Sequence, residues 1–295
     1  MTIATILQPS GIASRAQILA AGATSYELGR AVHSGVVRRV RQGWYALPTA
    51  RTDLVRAVRV GGALTAVSAA LHRGLWAIDD GLLHVSVAQN GGRLRSPKSS
   101  KIALAADPTA GVCIHWRRWP GAEGEIIEPI EKALVHALEC QSQEYAIASI
   151  DSALNKGLVT LTALQFATSR HPPSYLAALD RADPASQSGT ESVVRLRLKA
   201  RGISIRSQVA RPAVGRVDFV IGDRLVLECD SRQHHTGAEN YSRDRERDLL
   251  LVDGDDVVVR LTYEHVFESW DRVEPVILRL VRSRKHRGSR RRIQE

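Results

Sequence analysis

The chain has 295 residues, 44% of them hydrophobic, and a formal net charge of +10. That length accommodates two or three domains with their own cores, and the charge favours a polyanionic partner, nucleic acid before an anionic membrane surface. No stretch approaches the ~18 apolar residues of a membrane helix, which excludes a helical membrane protein. MTIATILQPSG lacks the basic start and cleavage site of a signal peptide. The thiols Cys113, Cys140 and Cys229 are scattered, without CxxC spacing, as expected in a reducing compartment. The expected location is the cytoplasm, at the nucleoid.

SRAQILAAG predicts a short helix: Ser14 caps it, Gln17 closes the box and Gly22 follows. TSYELGRAVHSG repeats this grammar with Thr24, Glu27 and Gly35. VVRRVRQGWYALP then reads as two strands around Gln42-Gly43, stopped by Pro48. Helix, turn, helix and basic hairpin is the order of a winged helix over 1–50. Such a domain sets its second helix near the major groove, with Arg38, Arg39 and Arg41 on phosphates. Winged helices also serve as protein-interaction modules, and hairpin arginines are often only a solvated face. The stretch resembles the N-terminal domain of AbiEi-type antitoxins, the DNA-binding partners of type IV toxin–antitoxin systems.

Residues 51–170 read as an α/β middle domain, similar to the body of AbiEi-like proteins. ALTAVSAALHRGLW predicts a helix, as do PIEKALVHALEC, EYAIASIDSALNKG and LTALQFA, while LHVSVA, KIALAA and VCIHW are strand candidates. His72, His84, His115 and His136 are spread along this stretch and read as satisfied or surface imidazoles. HWRRWP sets Trp116 and Trp119 around Arg117 and Arg118, either a base-stacking set or a surface strand face. Pro, Ser and Asp mark 171–190 as a linker. The basic residues of 282–295 predict an unpacked tail with salt-sensitive phosphate affinity.

Residues 191–281 carry the chemistry. ESVVRLRLKARG opens a helix with Glu191 in its first turn, and GRVDFVIGDRLVLECD predicts a hairpin turning at Gly222-Asp223. Asp218 falls inside the first strand and Glu228 at the end of the second. Unpaired charges in apolar strands are costly, and a divalent cation is the usual compensation. Asp218, Glu228 and the Cys229 backbone carbonyl form an all-oxygen set suited to Mg²⁺ or Mn²⁺. Ion pairs with arginines such as Arg216 or Arg243 would compensate the same acids without a metal. A zinc site from Cys229, His234 and His235 is also conceivable, but it lacks a second ligand pair at zinc spacing.

These motifs, with YSRDRERDLLL and VVVRLTYEHV downstream, resemble the PD-(D/E)XK nuclease superfamily and more closely its Vsr-like, very-short-patch-repair endonuclease branch. The resemblance implies a mixed sheet flanked by helices, Asp218 and Glu228 as metal ligands, Glu191 as an assisting acid and Asp230 as the second acid of an E-x-D variant. Arg243 and Arg247 become candidate phosphate clamps, although alternating acids on the same helix predict salt bridges too. The superfamily's lysine, two residues after the glutamate, is Asp230 here. Gln233, His234 or His235 would replace it, with His235 favoured, since an imidazole accepts a proton near neutral pH. The expectation is therefore an α/β multidomain protein, a metal-dependent DNA endonuclease or nickase in repair or phage defence, with a homodimer left open. The competing expectation is a non-catalytic AbiEi-type regulator with a toxin partner, its nuclease fold serving as a binding platform.

Overall fold

Two capping boxes shape the first turns of the chain, whose computed structural model describes residues 2–117, 124–211, 214–230 and 256–288. After α1 (Ile3–Leu7) and β1 (Ile12–Ser14), Ser14 Oγ accepts from the Gln17 N–H and the Gln17 carboxamide oxygen accepts from the Ser14 N–H, starting α2 (Arg15–Ala20). Thr24 and Glu27 repeat the exchange at α3 (Ser25–His33). Each box satisfies N–H groups that a helix start otherwise leaves open. Gly43, at φ +77°, turns the chain between β2 (Arg38–Arg41) and β3 (Trp44–Ala46). The sheet order is β1-β3-β2, with both pairs antiparallel. This order of helices and hairpin is consistent with a winged helix.

Strand alternation gives that sheet a core on each side. Ala13 packs with Leu7, Ile18, Leu28 and Val37, whereas Ile12, Val40 and Ala46 pack with Leu54, Val58 and Val85 of the following segment. The winged helix and the segment after it therefore share apolar contacts within one unit.

α4 (Thr52–Val60) ends at Gly61, in the left-handed region at φ +119°, where an added Cβ would collide with the Arg41 guanidinium. Next come β4 (Ala63–Leu64), α5 (Ala66–His72), β5 (Leu83–Ala88) and β6 (Val112–Arg117) in a β4-β5-β6 sheet. ALTAVSAALHRGLW is thus not one helix: Ala63 and Leu64 pair with Ser86 and Val85 before helix starts at Ala66. KIALAA is not a strand either; it holds a 3-10 turn at Leu104–Ala106, as its lysine and alanines, weak strand formers, allow.

α6 (Ile130–Cys140), α7 (Gln143–Asn155), α8 (Leu161–Thr168) and α9 (Pro173–Leu179) follow, the last within the expected linker. The chain then forms α10 (Gly189–Ala200), β7 (Ile205–Arg211), β8 (Gly215–Ile221) and β9 (Leu225–Cys229). β10 (Val257–Leu261), α11 (Tyr263–Phe267) and α12 (Trp270–Arg282) complete it. Contacts divide the chain into Met1–Ser142 with Val159–Leu176, and Gln143–Leu158 with Ala177–Glu295. α7 belongs to the second unit because it packs on α10.

In the second unit the sheet order is β10-β9-β8-β7; β7, β8 and β9 are antiparallel and β10 runs parallel to β9. The sheet is thus mixed, with one parallel pair at β9–β10. β7 is a strand that the sequence patterning did not mark. The basic tail packs further than its polarity suggests: the His286 carbonyl accepts from the Asp223 and Arg224 N–H groups at 2.8 and 3.3 Å. Residues 289–295 and the YSRDRERDLLL segment lie outside the described residues. No described helix is long and apolar enough to cross a membrane.

Candidate functional site

The β8–β9 hairpin brings the predicted acids together. Asp218 Oδ2 accepts from the Cys229 N–H at 2.7 Å, and Glu228 Oε2 accepts from the Asp218 N–H at 3.2 Å. Glu191 arrives from the first turn of α10, which starts where Ser188 Oγ accepts from the Glu191 N–H at 3.2 Å. Its Oε2 accepts from the Gln187 N–H at 3.0 Å and from Gln208 Nε2 at 2.9 Å. The same Gln208 nitrogen lies 3.4 Å from Asp218 Oδ1, so one carboxamide spans two carboxylates. Glu191 and Glu228 are both buried, at 4% and 5% exposure. Asp230, just past the end of β9, pairs with Arg260 at 3.4 Å.

This arrangement holds negative charge under strain. Burial, then the charge of Asp218, pushes the Glu191 carboxyl up to about 7. Burial and the charges of Asp218, Glu191, Glu228 and Asp230 raise the Cys229 thiol well above its ordinary range. Glu191, Asp218 and Glu228, with the Cys229 carbonyl at the end of β9, offer hard oxygen atoms in one neighbourhood of the inner strands. The charge of Asp218 bears on Glu191, and a divalent cation relieves repulsion of that kind. A stability profile follows from the sign of the Glu191 shift. With a folded value near 7 against about 4.5 unfolded, Glu191 stabilises metal-free protein fully below 4.5, and that contribution is lost as pH rises through 7. Thermal melts of metal-free protein across this window should show the decline, and Glu191→Gln should flatten it.

The structure adds two residues that sequence reasoning missed. Gln208 sits in β7 at φ +54°, rare for a residue with a side chain; backbone strain of this kind is found where the surroundings over-determine a position. Arg260 lies beside Glu228 in the parallel β9–β10 register. The arginine inside the apolar run VVVRL was its only signal. Gln233, His234, His235, Arg243 and Arg247 lie outside the described residues, as do Arg118 and Trp119.

The first unit presents a basic face. Arg38 and Arg39 are exposed on β2, as expected for the wing. Arg41 turns inward: its guanidinium donates to the Arg59, Val60 and Arg93 carbonyls at 3.2, 2.6 and 2.7 Å. It thereby closes the C-terminus of α4, where unpaired carbonyls attract cations. Arg39, Arg41, Arg93 and Arg95 line one open cleft of about 340 Å³. Arg93 and Arg95, from the loop after β5, were not foreseen as part of this basic surface. On α3, Tyr26 is 73% exposed, with the Arg30 guanidinium 5.9 Å from its ring centroid.

Residues 2–48 match the family described as a transcriptional regulator, AbiEi antitoxin. The match spans α1 through β3, the winged-helix portion of the chain. No curated protein matches the chain.

Proposed function

We propose that this chain is a DNA-binding regulator of the antitoxin kind whose second unit is built as a divalent-cation-dependent endodeoxyribonuclease or nickase. The family match supports DNA binding by the winged helix. One observation carries the nuclease part: Glu191, Asp218 and Glu228 come together from α10, β8 and β9, with Gln208 spanning Glu191 and Asp218 and the Asp218 N–H donating to Glu228. Asp218, Glu228 and the Cys229 carbonyl would hold Mg²⁺ or Mn²⁺. When bound, such a cation supplies Lewis-acid activation of water and stabilises charge on a phosphoryl oxygen. The chain's own residues do the rest. Gln208 holds Glu191 and Asp218 in register, the Cys229 N–H orients Asp218, and Arg260 balances Asp230.

A second reading is favoured by the match itself: the chain regulates transcription without cutting, and a toxin is its partner. Asp230 in the lysine's place also fits that reading. The assay pairs supercoiled, linear, mismatched and branched DNA with Mg²⁺ or Mn²⁺, and runs a mobility shift with chelator present. Nicking or cleavage supports the nuclease. Metal-independent, sequence-specific binding with every substrate intact leaves the regulator alone.

Arg39→Ala tests the wing in either case. Loss of one phosphate contact should weaken binding about equally across sequences and lower the salt slope by about one unit. An unchanged slope in salt titrations would remove Arg39 from the interface.

A further inference from the structure

Sequence spacing scatters the histidines and cysteines of the first unit, but the fold collects them. β5 and β6 are parallel, with His84 beside Cys113 and Ser86 beside His115. Alternation then turns His84, Cys113 and His115 to one face of the sheet. The last turns of α6 bring His136, Glu139 and Cys140 to the same face: the His115 and His136 rings are tilted against each other with centroids 4.8 Å apart. His84 and His115 are buried, at 0% and 4% exposure.

Three nitrogen and sulfur atoms meet there, and the Cys113 thiol adjoins one of them. His84 Nδ1 lies 3.1 Å from His115 Nε2, Cys140 Sγ 3.6 Å from His84 Nδ1, and Cys113 Sγ 3.5 Å from His115 Nε2. The ligand atoms of His84, His115 and Cys140 all lie within 4.8 Å of one another. With metal–nitrogen bonds of about 2.0–2.1 Å and metal–sulfur bonds of about 2.3 Å, tetrahedral angles put N···N near 3.4 Å and N···S near 3.6 Å. The observed spacings are close to both.

The outer nitrogen of His84 is held as ligating imidazoles usually are. Asp80 Oδ2 sits 3.0 Å from His84 Nε2 and is itself bonded by Gln141 Nε2 at 3.0 Å. A carboxylate only accepts, so the His84 proton is on Nε2 and Nδ1 is a bare lone pair. Glu139 Oε2 lies 3.7 Å from His115 Nδ1, within ion-pair range but beyond a hydrogen bond. The bare His84 Nδ1 faces His115 Nε2 at 3.1 Å, a spacing that a cation bridges when both nitrogens present lone pairs.

We propose that His84 Nδ1, His115 Nε2 and Cys140 Sγ, with Cys113 Sγ as fourth ligand, bind a structural zinc ion. Two thiolates and two imidazoles in tetrahedral array suit Zn²⁺ rather than Mg²⁺ or Mn²⁺. Four protein ligands leave no position for substrate, so the ion's role is to tie β5, β6 and the end of α6 together. This site is separate from the carboxylates of the second unit and does not rest on the nuclease reading.

The test uses the full chain, purified without chelator and measured for metal content. About one zinc per chain is expected, kept in Asp218→Ala and lost in Cys140→Ser and His84→Ala. Stripped protein given Co²⁺ should show the visible absorption of tetrahedral cobalt–thiolate. Asp80→Asn, which keeps every ligand, should weaken zinc affinity about 10–100-fold; it decides the matter if the ligand variants do not fold. Folded wild type that neither retains zinc nor gives the cobalt–thiolate spectrum overturns the site. Cys113→Ser binding as tightly as wild type overturns the fourth ligand.

Discussion

Asp218→Asn should abolish Mg²⁺- or Mn²⁺-dependent cleavage while leaving DNA binding by the first unit intact. The carboxamide oxygen can still accept the 2.7 Å hydrogen bond from the Cys229 N–H, so the hairpin has no reason to unfold. What disappears is one unit of negative charge at the centre of the donor set. Charge stabilisation by a held cation is worth several kcal/mol, and about 1.4 kcal/mol is tenfold in rate, so the loss should reach roughly a thousandfold. Stability should move the other way. Asp218 is the second cause of the raised Glu191 carboxyl, and removing its charge relieves that repulsion in metal-free protein. The variant should therefore melt at a higher temperature than wild type without metal, the usual trade at a site built for function. Adding Mg²⁺ should raise the melting temperature of wild type and leave the variant nearly unmoved, since only a species that binds the folded state shifts it. Equal cleavage rates for the two proteins would end the nuclease reading. Equal responses to Mg²⁺ would take the cation away from Asp218.

Why could Asp218 and Glu228 be found in the sequence, when His84, Cys113, His115 and Cys140 could not? The acids lie ten residues apart on a hairpin whose turn, Gly222-Asp223, is written in local chemistry. Pairing of β8 with β9 then follows from proximity, and charge inside an apolar run stands out against strand periodicity. The same locality made the Ser14–Gln17 and Thr24–Glu27 boxes legible, since each closes within four residues. The His and Cys cluster has the opposite character. Its ligands come from two parallel strands and a helix end, and parallel register depends on crossover connections that no short pattern encodes. The C-x-H spacing of Cys113 and His115 was a signal only once His84 was known to lie beside Cys113. Gln208 was hidden for another reason. Its side chain reaches two acids through a left-handed backbone, and nothing in ISIRSQVAR asks for that conformation. Arg41 looked like its neighbours on the wing, and the carbonyls that claim it belong to α4 and the loop after β5.

Arg195 is a buried charge that the sequence does not announce, and its replacement should be the most damaging single change in the second unit. Nothing in ESVVRLRLKARG marks Arg195 apart from Arg197 and Lys199, yet Arg195 is 1% exposed and among the largest fully buried side chains. It donates to Asp151 Oδ2 at 2.7 Å and to the Arg181 carbonyl at 2.6 Å. Asp151, on α7, is 0% exposed and also accepts from the Asp183 N–H at 2.7 Å. Burial holds the Asp151 carboxyl above its ordinary range, with the Arg195 charge opposing that shift. The pair fastens α7 to α10, and α10 carries Glu191 to the other carboxylates. Arg195→Ala removes the cation that compensates this buried charge and opens a cavity as well. Breaking a buried pair from one side costs about 3–5 kcal/mol, a large share of the roughly 5–15 kcal/mol that holds a domain folded. Denaturant unfolding of the variant should show that loss. The double change Arg195→Met with Asp151→Leu should recover much of it, because an apolar replacement of similar volume leaves no orphaned charge. If Arg195→Ala unfolds at the wild-type midpoint, the pair contributes nothing to the second unit. If the double variant is as unstable as the single one, packing at this position, and not charge, is what joins α7 to α10.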